Sequence, residues 1–156
     1  MYIIYVYIFY HRVMFQKLNL QYFFSYLGIL PYLIIIFDKY LFFQISEDFI
    51  MNFLIHYTIL IFVFIGAINW DPQIKLKNHI TIYGFMPSFI AVIIIVLNLI
   101  NIKSLFLIII ISIILIFQLL LDYILIYSFK LNKNFFFYVR VPLTIFILAV
   151  LGIFIS

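Results

Sequence analysis

The sequence predicts an all-α integral membrane protein, a bundle of five transmembrane helices, and three observations predict it. Hydrophobic residues make up 69% of the 156-residue chain and charged residues only 9%, with a mean hydropathy of +1.34. A soluble domain of this length carries far more charge and cannot hide so much apolar surface from water. The few charges stand apart, with uncharged runs of membrane-crossing length between them. The connecting loops are short, and their basic residues fall unevenly on alternate sides. The length suits one domain. There is no cysteine, which excludes disulfides, thiolate metal sites and cysteine nucleophiles together. Ile, Phe and Tyr dominate, with Asn and Lys supplying much of the polarity. That mixture is expected of an AT-rich coding genome, and accounts for the aromatic excess without a functional cause.

The elements follow in order. Met1 to Tyr10 is apolar but too short to span, and His11 and Arg12 follow it, whereas a secretory signal carries its positive charge in front. Residues 1–17 therefore read as an interfacial segment rich in Tyr, with a mis-assigned start as the other reading. A helix needs about 20 apolar residues to cross the hydrocarbon core. The uncharged runs between Lys17 and Asp38, Asp48 and Asp71, and Lys77 and Lys103 meet that length, as does the run from Ser104 to Phe129, broken only by Asp122. The stretch after Arg140 is short at roughly 24 Å. Starting near Phe135 makes it long enough and lets Arg140 snorkel to the headgroups. The expected helices are 18–37, 49–69, 82–101, 104–129 and 135–155, forming a transmembrane domain over 18–156.

Five spans place Arg12, Lys17, Lys75, Lys77, Lys130, Lys133 and Arg140 on one side and only Lys39 and Lys103 on the other. By the positive-inside rule the N-terminus lies inside and the C-terminus outside. The net charge of +4 is explained by topology. There is no soluble basic face to carry a nucleic-acid footprint, so no nucleic-acid partner is expected.

Within hydrocarbon, the informative residues are the polar ones. Asp122 lies about two helical turns before Lys130, with Gln118 four residues earlier on the same face. Three readings follow: an ion pair with Arg140, joined by Gln118, that docks two helices; a proton-carrying or substrate-binding carboxylate; or a side chain snorkelling to water. His56 stands in the outer half of the second helix with Asn52 four residues earlier on the same face; for His56 an interhelical hydrogen bond is the plainer reading and a relay the sharper one. The three histidines have no metal-ligand spacing, so neither metal nor cofactor is expected. Asn69, Trp70, Asp71 and Pro72 close the second helix, with Trp70 at interface depth and Pro72 as a stop. Gly84, Ser88 and Ala91 form a small-residue stripe on the third helix, and Gly28, Pro31, Gly66, Ala67 and Gly152 supply further smooth patches. Pro31 and Pro87 are candidates for kinks.

In order, these pieces resemble the family of multi-pass membrane proteins of domain of unknown function 3429, from proteobacteria and mitochondria. The resemblance rests on Leu27-Gly28-Ile29-Leu30-Pro31-Tyr32, on Phe64-Ile65-Gly66-Ala67-Ile68-Asn69-Trp70-Asp71, on Pro87-Ser88, on Asp122, and on Tyr138-Val139-Arg140-Val141-Pro142-Leu143-Thr144. It covers the chain from Leu27 onward. The family's His before the Trp is Asn69 here, and its Gly after the Trp is Asp71. The resemblance implies a bacterial or mitochondrial inner membrane and no particular activity.

Combining both lines, Asn69, Trp70, Asp71, Tyr83, Pro87, Ser88, Gln118, Asp122, Arg140 and Thr144 belong to the inner half of the bundle and are expected to line one polar pocket. The expected function is a non-enzymatic accessory or assembly factor that binds a larger membrane complex. The alternative is a small transporter or proton-coupled permease working through Asp122. The expected partners are the lipid bilayer and a membrane protein, or a second copy of the chain. An intramembrane enzyme lacks a second core carboxylate and a Ser–His pair within reach.

Overall fold

A computed structural model describes residues 22–42, 44–67, 78–127 and 133–155. The interfacial segment 1–17 and the positions Asn69, Trp70 and Asp71 lie outside the described residues. Five helices are long and apolar enough to cross a membrane, and no strand occurs among the described residues. We number them α1 (Tyr22–Phe42), α2 (Glu47–Ala67), α3 (Asn78–Leu99), α4 (Ser104–Asp122, continued by a π-helical turn, Tyr123–Tyr127) and α5 (Phe136–Ile155). The protein is an all-α transmembrane bundle.

The central element is α2, which packs on α3 and α4 and touches α5; α4 also packs on α5. Its buried residues are Ile50, Leu54, Ile55, Thr58, Ile59, Phe62 and Gly66, a stripe at helical spacing. On α4 the stripe runs Leu107, Ile108, Ile111, Leu115, Gln118 and Asp122. The two polar residues thus continue the face that packs the core. Two apolar clusters result. One is mainly aliphatic, with Tyr32, Phe62 and Phe154 among its members; the other, around Tyr83, Phe135, Phe136 and Val139, surrounds the polar end of α4.

Three local sequence devices shape the bundle. At Gly66, an added Cβ would stand 2.5 Å from Pro87 Cγ and 3.1 Å from the Gly84 carbonyl oxygen, so glycine is what lets α2 approach α3 so closely. Asn101, at φ 61°, ends α3 in the left-handed conformation. The Ile102 N–H then reaches back to Leu97 O at 3.2 Å, closing the helix and turning the chain into α4. Pro142 removes a donor from α5. The Tyr138 carbonyl, which residue 142 would serve in an α-helix, instead accepts the hydroxyl of Tyr26 on α1. Val141 N–H bonds Phe136 O five residues back, which makes Phe136–Arg140 a π-helical turn.

The helix limits differ from expectation most at α1. Asp38 and Lys39 were expected to end it, yet the helix runs on to Phe42 through a π-helical turn, Asp38–Phe42. The reason is that both charges have backbone partners. Asp38 is buried, and its carboxylate accepts the Ile45 and Gln44 N–H groups at 3.0 and 3.4 Å. Lys39 Nζ donates to Ile153 O at 2.9 Å and lies 4.3 Å from the Phe154 ring centroid. Of the two candidate kinks, a turn at Gly28–Ile29 interrupts α1 just before Pro31, and Tyr57 OH donates to Gly28 O there at 3.0 Å. Through Pro87, α3 stays helical.

Candidate functional site

The polar groups of four helices meet at the end of the bundle that holds Arg140. Arg140 closes the π-helical turn that opens α5, and Asp122 is the last α-helical residue of α4 before its own π-helical turn. Arg140 Nη2 lies 3.0 Å from Asp122 Oδ2, and both side chains are buried. The other carboxylate oxygen, Asp122 Oδ1, accepts the Tyr83 hydroxyl of α3 at 2.6 Å. A phenol has one hydrogen, so the 3.2 Å contact from Tyr83 OH to Gln118 O is the weaker of the two.

Helix α2 completes the cluster with backbone rather than side chains. Arg140 Nη2 donates to Ile65 O at 3.2 Å. Ile65 lies in the last turn of α2, where carbonyls lack intrahelical donors and the helix dipole favours a cation. Gln118 Nε2 donates to Phe62 O at 3.2 Å, one turn deeper. The ion pair therefore ties α2, α3, α4 and α5 at one level. A buried pair adds little net stability over a well-packed apolar pair, but losing one partner strands a charge and costs about 3–5 kcal/mol.

Of the residues expected to share one pocket, Tyr83, Gln118, Asp122 and Arg140 converge directly. Pro87 is buried against Gly66 and serves the α2–α3 contact. Ser88 is half-buried beside it and makes no hydrogen bond to the ion pair. Thr144 is buried one turn along α5 from Arg140. These four side chains pack closely: Asp122 is 1% exposed and Arg140 4%. A cavity of about 510 Å³ lies beside them, between α1, α2 and α5, and of the named residues only Arg140 and Thr144 reach its wall.

At the opposite end, Asn98 of α3 donates to Asn52 Oδ1 of α2 at 3.1 Å, and Asn52 Nδ2 donates to Asp48 O at 3.0 Å. Asn52 therefore bonds across to α3, whereas the interhelical bond was expected of His56. His56 makes no such bond: it is exposed, and its Nδ1 pairs with the Asn52 carbonyl of its own helix at 2.7 Å. A histidine one turn after a helical carbonyl finds that acceptor locally. Among the described residues no group of three His, Cys, Asp or Glu side chains could hold a metal ion.

Sequence reasoning missed several polar contacts. Tyr32 OH and Thr58 Oγ1 meet at 2.8 Å with both residues fully buried, joining α1 to α2 in mid-membrane. The Tyr26–Tyr138 bond had a signal in the sequence, because Pro142 leaves a carbonyl four residues back in need of a donor. Asp38 had none, since its acceptor role depends on the path of the loop after α1.

The fold and site define a class: a five-helix membrane bundle in which a buried Asp–Arg pair joins the ends of two helices. Comparison with protein-family models, with curated proteins and with solved structures finds no match.

Proposed function

We propose that the chain is a non-enzymatic accessory or assembly protein of a bacterial or mitochondrial inner membrane, with its N-terminus inside and its C-terminus outside, that binds a larger membrane complex. The observation that carries this reading is the closure of the polar cluster. Both oxygens of Asp122 are engaged, one by Tyr83 and one by Arg140. A carboxylate held in this way docks helices and leaves no open face to a substrate. Further support comes from the aromatic surface around the same end, where Phe137 and Tyr138 are 54% and 66% exposed. Aromatic side chains are enriched where membrane and protein partners are contacted. The proposal includes kinship with the domain of unknown function 3429 family, supported by the order of its five motif pieces.

One observation favours a second reading, a small transporter: the cavity on the far side of Arg140. Tagging the N-terminus, extracting the protein with its native lipid and identifying what co-purifies by mass spectrometry tests the first reading. A stoichiometric membrane complex is the expected result. A protein that emerges alone or as a homo-oligomer overturns it. Asp122→Asn separates the two readings, since transport collapses with the carboxylate whereas a docking pair mainly loses stability. A C-terminal reporter is expected on the outer face.

A further inference from the structure

His56 carries a polar group into hydrocarbon that its own chain does not satisfy. It stands nine residues beyond Glu47 in α2, about 14 Å along the helix, well inside a hydrocarbon core of about 30 Å. Its side chain is exposed, so in a single chain it faces lipid. Nδ1 lies 2.7 Å from the Asn52 carbonyl oxygen, which can only accept, so Nδ1 carries the hydrogen. In the neutral ring Nε2 then holds a bare lone pair, and among the described residues no donor reaches it. Polar groups at this depth face another helix or a water-filled space, since lipid tails offer neither donor nor acceptor. The cavity beside Arg140 is not that space, because His56 does not reach its wall.

A donor that fits stands one turn away on the same face. Asn52 is exposed as well; its Oδ1 accepts from Asn98 of α3, and its Nδ2 gives one hydrogen to Asp48 O. An amide nitrogen has two hydrogens, which leaves one for a further acceptor. The Asn52 and His56 side chains of one chain do not bond each other. The face thus presents a spare donor and a spare acceptor one turn apart, and is complementary to itself. Phe49, towards the outer end, and Leu60, towards the middle, are 56% and 64% exposed and continue the face as apolar flanks.

Copies of one chain in one membrane share orientation and depth. A two-fold axis along the membrane normal brings each residue of such a pair beside itself and its neighbours one turn away. We infer that this face of α2 is an interface between two copies of the chain, in which His56 Nε2 of each accepts the spare Asn52 Nδ2 hydrogen of the other. The pairing closes two reciprocal bonds that no single chain can make. Asp48 of each copy lies a further turn out, at the aqueous end of α2, where water and salt screen the like charges. The interface is independent of the proposed accessory role, since a larger complex can take up two copies as readily as one.

Energy transfer between donor- and acceptor-labelled copies of the full-length protein in phosphatidylcholine vesicles, over a range of protein-to-lipid ratios, tests it. A monomer–dimer equilibrium is the expected result. The chain has no cysteine, so single-cysteine variants crosslink only where the thiol is placed. Leu60→Cys is expected to form an oxidised dimer, and Ile113→Cys, 61% exposed on α4, to form none. His56→Leu removes both acceptors and is expected to weaken pairing about tenfold, worth ~1.4 kcal/mol. Asn52→Leu should weaken it similarly, and the two combined no further, because the same bonds are lost. Circular dichroism checks that each variant keeps its helices. A wild type that stays monomeric at every ratio, pairing undiminished in His56→Leu, or equal crosslinking of Leu60→Cys and Ile113→Cys each overturns the proposal. These outcomes leave the accessory reading untouched, which is decided by what co-purifies.

Discussion

The two ends of the bundle solve one problem in different ways. Near Arg140, two opposite charges from different helices meet each other, with Tyr83 and Gln118 completing the contacts. Near Lys39, an adjacent acid and base ignore one another and turn to backbone. Asp38 caps the N–H groups of the loop after α1, and Lys39 caps a carbonyl in the last turn of α5 and lies over Phe154. The difference follows from what each level offers. A loop or helix end exposes unpaired backbone groups that a nearby charge can satisfy. Asp122 stands on the packing stripe of α4, among side chains, so its partners had to be side chains on neighbouring helices. The first arrangement locks four helices together; the second fastens two termini.

That contrast predicts unequal sensitivity. The largest loss is expected for Arg140→Met, which strands Asp122 in the core at a cost of about 3–5 kcal/mol, read from reversible unfolding in mixed micelles. Adding Asp122→Leu should recover much of it, because the double variant buries no charge. Additive losses would show that the two residues act separately. Next comes Gly66→Ala at the same end. The new Cβ meets the Pro87 ring and the Gly84 backbone, neither of which can swing aside, and the expected cost is about 1–3 kcal/mol. A change within measurement error would mean that α2 and α3 do not pack as described.

At the other end the effects should shrink. Lys39→Met keeps the aliphatic stem and removes the helix cap and the cation over Phe154, for about 1 kcal/mol. A loss as large as that of Arg140→Met would erase the distinction between the two ends. Smallest is His56→Ala, expected within about 0.5 kcal/mol at dilution to single chains, where the imidazole is exposed and bonds only its own helix. A larger loss there would reveal a partner for His56 within its own chain beyond α2.

Much of the polar cluster was legible before the fold. Of the three readings open for Asp122, the ion pair named Arg140, the basic residue that the span assignment brings to its depth. Gln118 followed from its four-residue spacing, and Tyr83 from its place near the start of the third helix. What could not be read was the other half of the hydrogen bonding. The Phe62 and Ile65 carbonyls are anonymous in sequence, because every residue has one. Which carbonyl is reached depends on how far α2 is rotated and raised against α4 and α5. Asp38 misled for the same reason, since a charge reads as a loop until its backbone partners are seen.

The sequence by itself determined that the chain lives in a membrane, how many times it crosses, and that Asp122 is a charge within a span. Hydropathy acts segment by segment, and each helix satisfies its own backbone, so these properties need no knowledge of neighbours. Only the tertiary structure decided that Tyr83, Gln118, Asp122 and Arg140 meet, that α1 continues past two charges, and that a cavity lies beside Arg140. Those features depend on how separate helices are rotated and spaced against one another, and side-chain packing among distant segments sets that relation.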